Sequence, residues 1–194
     1  MATNGTTDTQ IISGINGSGT YLPLSFYTNN ALGMQLSTAG VLTVTGGVAA
    51  SSMPTGSVIQ IVNATYSTQV TNNTATYADT GLTASITPSS ASNKILVLVN
   101  QSSVGKNTGL LSNALLIKLV RNSTDIIFFG GAIGYTETNI YNLGFSPSTS
   151  YLDSPATTSS VTYKTQFANG VNNAGVRVQT DGFTSTITLM EIKA

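Results

Sequence analysis

From Ser57 onward the chain is a run of short, β-branched apolar segments. Each is cut off by Gly, Asn, Ser or Pro before it reaches the length a stable helix needs. Segments 57–66, 77–87, 94–100, 114–121, 125–130, 139–145, 148–153, 161–167, 174–179 and 184–192 read as strands. In one of them Val161, Tyr163, Thr165 and Phe167 alternate with Thr162, Lys164 and Gln166, the period of a strand with one face in a core and one face wet. Asn169-Gly170 and Asp181-Gly182 are tight-turn dipeptides, and Asn122-Ser123-Thr124 joins two segments as a hairpin. A helix over 110–120 is the competing reading, because Leu111, Leu115 and Leu119 share helical spacing; the β-branched neighbours and the hairpin-like exit favour a strand. Many short strands with no long amphipathic period predict an all-β fold: an antiparallel β-sandwich or jelly-roll-like head spanning 54–194.

Residues 1–53 read differently. Gly14, Asn16-Gly17, Gly19, Asn29-Asn30, Gly40 and Gly46-Gly47 separate extended pieces of two to five residues, too short to build a core alone. Leu22, Leu24, Phe26, Leu32, Met34, Leu36, Val41 and Leu42 are nonetheless more apolar than a solvated tail requires. The stretch is therefore expected to be an extended N-terminal arm, ordered by wrapping a neighbouring chain or docking on another protein. Ser51-Ser52-Met53-Pro54-Thr55-Gly56 interrupts every periodicity and marks the boundary. Within the head, runs 95–99 and 126–129 are apolar at every position, which predicts a second contact outside the sandwich core. Leu22, Leu24, Phe26, Ile126 and Phe128 are the candidate oligomer-interface residues.

Composition narrows the chemistry. The 194 residues include no His, Cys or Trp, and charged residues make up 7%. The usual proton shuttle and the usual ligands of zinc and iron–sulfur centres are absent, and no cofactor or metal site is expected. Lys94, Lys106, Lys118, Arg121, Lys164, Arg177 and Lys193 are scattered, so no basic patch offers itself to nucleic acid. No stretch approaches the roughly 20 apolar residues of a membrane span, and Met1–Gln10 lacks the pattern of a secretory signal, so the chain is expected to be made in a cytoplasm without an export signal. The carboxylates Asp8, Asp79, Asp125, Glu137, Asp153, Asp181 and Glu191 form no local catalytic motif, although sequence leaves open a pair that meets in space, as glycoside hydrolysis needs. No G-x-S-x-G elbow, phosphate-binding loop or calcium loop occurs. The chain is expected not to be an enzyme. Tyr135, Tyr141 and Tyr151 lie in a Gly-, Asn- and Ser-rich region and are the candidate glycan contacts, because phenol rings stack on apolar sugar faces while amides meet hydroxyls; the competing role is filling the core or a subunit seam.

The stretch Pro54-Thr55-Gly56-Ser57-Val58-Ile59-Gln60, the segment Asp79-Thr80-Gly81-Leu82, and Ile86-Thr87-Pro88 leading to Asn93-Lys94-Ile95-Leu96-Val97 resemble a domain of bacteriophage virion proteins. That domain is common in phages of marine bacteria and cyanobacteria, often at the end of tail fibres. Tyr151-Leu152-Asp153-Ser154-Pro155 and Thr186-Ile187-Thr188-Leu189-Met190-Glu191 fit the same resemblance, which covers roughly residues 54–194. Gly19-Thr20-Tyr21-Leu22-Pro23-Leu24 and the stretch from Leu36 to Val44 resemble the extended segments of phage fibre shafts. The resemblance implies a β-sandwich head, usually a homotrimer, displayed on a virion. The expected role is a non-enzymatic fibre or spike that binds a host-surface glycan. Its expected partners are sibling subunits and other tail or capsid proteins. The alternatives are a capsid-decorating or head-fibre protein that clamps capsid subunits, and a carboxylate-dependent glycan-degrading enzyme.

Overall fold

Among the described residues, every strand pairing in the computed structural model is antiparallel. The structure describes residues 2–3, 9–10, 22–49, 52–107, 113–138, 143–171 and 175–194. The chain divides into two units, Met1–Met53 and Pro54–Ala194.

In the first unit β1 (Ala2–Thr3) pairs with β2 (Thr9–Gln10). A separate sheet has the order β3 (Leu24–Thr28), β4 (Ala31–Leu36), β5 (Leu42–Val44). Asn29 and Asn30 both take positive φ, 50° and 58°, as a two-residue hairpin between right-twisted strands demands. The register sets Leu24 opposite Leu36 and Leu36 opposite Leu42, with Phe26, Met34 and Val44 in the next row of the same face. The other face carries Ser25, Gln35 and Thr43, where Gln35 Nε2 donates to Ser25 Oγ at 3.0 Å. The arm is thus an amphipathic sheet whose apolar side includes the exposed Phe26, Leu36, Leu42 and Val44.

In the second unit a continuous sheet has the order β12 (Thr124–Ile133), β11 (Leu115–Arg121), β15 (Val161–Asn169), β8 (Ala78–Ile86). Facing it is a sheet broken across its middle. Its upper half has the order β14 (Ser148–Asp153), β9 (Lys94–Asn100), β17 (Ser185–Ile192), β6 (Val58–Tyr66). Its lower half is β13 (Gly144–Phe145), β10 (Val104–Lys106), β16 (Val176–Val178), β7 (Val70–Asn72). The two halves repeat one order, because each lower strand is the chain neighbour of the upper strand in the same place. Counted that way, two four-stranded sheets face each other, and every connection except the β11–β12 hairpin crosses between them. This is the double Greek-key path of a jelly roll, and the all-β sandwich expected from the sequence is what the chain forms.

Two apolar clusters fill the sandwich. Leu82, Ala84, Ile86, Ile95, Val97, Val99, Leu119, Val161, Tyr163, Ile187 and Leu189 pack under the upper half, and Val104, Leu115, Ile117, Phe167, Val176 and Val178 under the lower half. Between them runs a buried polar seam. Ser185 Oγ receives Gln101 Nε2 at 3.0 Å, the Ser102 amide at 2.9 Å and Gln179 Nε2 at 3.1 Å. Thr165 Oγ1 donates to Gln101 Oε1 at 2.8 Å and lies 2.6 Å from Thr80 Oγ1. The seam follows the break in the sheet: Ser103 and Gln179 take left-handed backbone there, φ 46° and 52°, and leave the strand geometry on each side.

Three sequence readings are refined. Residues 115–121 form a strand, not a helix, and residues 110–112 of the competing helix lie outside the described residues. In the run 126–129, register shifts along β11–β12 turn Ile126, Ile127 and Phe129 toward the core and leave Phe128 outward, so the bulged strand itself accounts for most of that apolar run. Ile95, Val97 and Val99 are fully covered, while Leu96 and Leu98 lie on the outer face. The seam makes a strong prediction. Ser185→Ala strands the donors of Gln101, Ser102 and Gln179 in the interior, and urea unfolding is expected to show a loss of about 3 kcal/mol or more, against about 1 kcal/mol for an ordinary hydrogen bond.

Candidate interaction surfaces

Tyr135 follows β12 in a tight turn. Ala132 takes φ 57° and Gly134 φ 78°, and the Tyr135 amide donates to Ala132 O at 3.1 Å. Beneath the turn lies Lys106, fully buried, whose Nζ donates to Thr136 Oγ1, and Thr136 Oγ1 donates on to Thr138 O at 2.7 Å. A Cβ at Gly134 would approach the Lys106 backbone nitrogen to 3.5 Å, so this turn sits close against β10. The ring of Tyr135, 48% exposed, is thereby held on the wall of an open groove of about 500 Å³. Phe129 and Ile133 line the groove from β12, and Phe145, Ser146 and Pro147 line it from the junction of β13 and β14. Rings lining an open groove suit the apolar faces of a sugar.

The other sequence-selected residues separate from Tyr135. Tyr151 lies on β14 and packs against the upper apolar cluster, so its ring serves the core rather than the surface, the competing role weighed above. Tyr141 lies outside the described residues. Ile126, turned by the β-bulge, is half-buried and packs against the upper apolar cluster. Phe128 is 58% exposed on the outer face of the continuous sheet. It meets Tyr77 edge to face at 6.1 Å, and Lys118 Nζ sits 4.0 Å from the Tyr77 centroid and 5.9 Å from that of Phe128. Leu22 is exposed just before the arm sheet, and Leu24 and Phe26 lie on its apolar face. Sequence reasoning missed Phe129, Phe145 and Pro147 as groove residues, because only the crossing of β12 over the β13–β14 junction brings them beside Tyr135.

Asp79, Asp125, Asp153 and Glu191 are engaged in binding the fold together, and Asp8 lies outside the described residues. Asp153 accepts Arg121 Nη1 at 2.9 and 2.8 Å on its two oxygens and Tyr163 Oη at 2.6 Å, linking the two sheets. Burial, and then the hydrogen bond to Asp153, push the Tyr163 phenol far above its ordinary range. Asp125 pairs with Lys118 at 2.7 Å, and Asp79 with Lys164 at 2.8 Å and Gln166 at 2.7 Å. Glu191 is fully buried; its Oε1 accepts the Ser89 amide at 2.7 Å, Ser89 Oγ at 2.8 Å and Asn93 Nδ2 at 2.6 Å, and its Oε2 accepts Gln60 Nε2 at 2.6 Å. Among the described residues no three His, Cys, Asp or Glu side chains converge as metal ligands would.

No protein-family profile and no curated protein sequence matches the chain. Among solved structures the chain is similar to the VP2 subviral particle of infectious bursal disease virus, at 13% identity and a TM-score of 0.37. The match covers 71% of this chain and 39% of the viral one.

Glu191 also sets an acid limit. Burial works to raise its pKa, but the hydrogen bonds from Asn93, Gln60 and Ser89 outweigh burial and hold it below the ordinary carboxylate value. A carboxyl lowered in the folded state stabilises fully above its unfolded value, and that contribution is lost as the pH falls through the folded one. Denaturant midpoints are therefore expected to drop as the pH falls below about 4. Glu191→Gln should be less stable at pH 7 by about 1–3 kcal/mol, through mismatched donors, and should lose less on acidification.

Proposed function

We propose that this protein is a non-enzymatic structural component of a bacteriophage virion. In this reading it is a homotrimer joined through its arms, with jelly-roll heads displayed outward to contact a host-surface glycan. The observation that carries the assembly part is the arm sheet. Its strands β3–β5 are three to six residues long and turn Leu24, Phe26, Met34, Leu36, Leu42 and Val44 to one side. A single layer this small covers little of its own apolar area, and its apolar side calls for a partner surface. Formal net charge is zero, so little repulsion opposes self-association. The resemblance of residues 54–194 to phage virion domains supports the virion setting, and the groove beside Tyr135 supports glycan contact.

Light scattering on the purified chain is expected to give a mass three times its 20.0 kDa. The arm variant Phe26→Asp with Met34→Asp should run as a monomer while the head keeps its β-sheet circular dichroism. A monomeric parent protein would remove the assembly reading. Fluorescently labelled protein is expected to bind cells of a bacterium that the phage infects. Tyr135→Ala should weaken that binding by up to about tenfold, the equivalent of an aromatic contact worth up to about 1.5 kcal/mol. Labelling of capsids with no labelling of cells would instead establish the capsid-decorating alternative.

A further inference from the structure

The two outward faces of the head differ in chemistry. The continuous sheet presents the ion pairs Lys118–Asp125 and Lys164–Asp79. The upper half of the broken sheet presents a cross-strand row with no charge in it. Leu152 on β14 lies opposite Leu96 on β9, Leu96 opposite Met190 on β17, and Met190 opposite Ile61 on β6. Each of the four strands contributes one apolar side chain to this row, and its two ends are the most open, Ile61 at 59% and Leu152 at 49%. Val58 and Ile192 extend the apolar area on one side of the row, with Lys94 the cation at that end. On the other side the rows turn to Ser150, Leu98, Thr188 and Asn63, and then to Ser148, Asn100, Thr186 and Thr65. The apolar end is the one at which β6 begins, directly after the arm in sequence.

We propose that this row is a contact surface between heads of sibling copies of this chain. The proposal rests on the arm-joined assembly proposed above. Size decides the occupant. Six side chains, with strands about 4.8 Å apart and rows about 7 Å apart, give an apolar footprint of roughly 200 Å². A stable association of free partners buries about 800 Å² on each side. The row is therefore too small to hold an independent partner, and suffices for one whose local concentration is already raised by a tether. The arm supplies that tether, since 13 residues separate Val44 from Val58. Charge agrees: no Asp, Glu, Lys or Arg occurs from Thr9 to Ala78, so an uncharged row faces no mismatched charge from the β6 side of a sibling. With three heads around one axis, the β6 edge of each faces the β14 edge of the next, and Ile61 of one copy approaches Leu152 of its neighbour.

The natural absence of cysteine gives a direct test on the full chain. In Ile61→Cys with Leu152→Cys, three strand spacings, about 14 Å, separate the two sulfurs' strands within a chain, too far for an internal disulfide. Mild oxidation is expected to link most chains into covalent dimers and trimers on a denaturing gel. Phe128→Cys, on the charged outer face, is expected to give less than a tenth as much linked product. A parent protein that is monomeric by light scattering overturns the arm reading and this proposal together. An oligomeric parent in which the double variant links no better than Phe128→Cys overturns this proposal alone.

Discussion

The head depends on one hydroxyl. Ser185 Oγ gathers Gln101, Ser102 and Gln179 where every strand of one sheet is interrupted, and Thr165 from the facing sheet completes the network through Gln101. A jelly roll bent this way has to leave backbone and side-chain amides inside the sandwich, and each would cost about 1–3 kcal/mol unpaired. The seam meets that demand with neutral groups alone, save at Gln179 Oε1, which is buried with no hydrogen-bond partner. A buried ion pair in the same place would add a desolvation cost that its attraction seldom repays. The seam also fixes register, because Thr165 sits between Tyr163 of the upper cluster and Phe167 of the lower one on the same inward face. Sliding β15 by one residue would put Gln166 where Thr165 bonds and expose both rings.

Charge follows the same economy. Asp153 and Glu191 join elements distant in sequence, and each is saturated by donors. The pairs on the continuous sheet lie on its outer face, with Lys118 further covered by Tyr77 and Phe128. The chain thus sets two ion pairs on one side of the sandwich, while the upper half of the other sheet carries aliphatic and hydroxyl rows with Lys94 at one end.

The strand pattern was legible because alternation is a local property. Val161, Tyr163, Thr165 and Phe167 read as inward-facing and are all buried. Leu111, Leu115 and Leu119 were ambiguous because a spacing of four satisfies a helix face and a strand face alike; Ile117, fully buried between Leu115 and Leu119, distinguishes the two. The short strands β7 and β10 escaped notice, since three residues give no period to read. Bulges are invisible for a similar reason. The run Ile126 to Phe129 has no sequence mark showing which residue is the extra one, so Ile126 was expected at an interface and lies against the core. The groove beside Tyr135 was half legible: the ring could be picked out, while Phe145 and Pro147 are brought to it only by the crossing between sheets.

The row Ile61, Met190, Leu96 and Leu152 shows why pairing register carries more information than composition. Two of these residues lie in runs that simply read as apolar strands, and Ile61 and Leu152 each stand between polar neighbours at two residues' distance on at least one side. Nothing in the linear sequence links them. Three antiparallel registers do, by setting four side chains from 152, 96, 190 and 61 in one line across the sheet. A line of aliphatic side chains across all four strands is a feature of a surface rather than of any strand. Its two ends, Ile61 and Leu152, are different surfaces, as the head-to-tail contact of a closed ring of three requires. Scarce charge, which at first only narrows the chemistry open to the chain, then acquires a structural sense: the row itself holds no charged group that would resist burial.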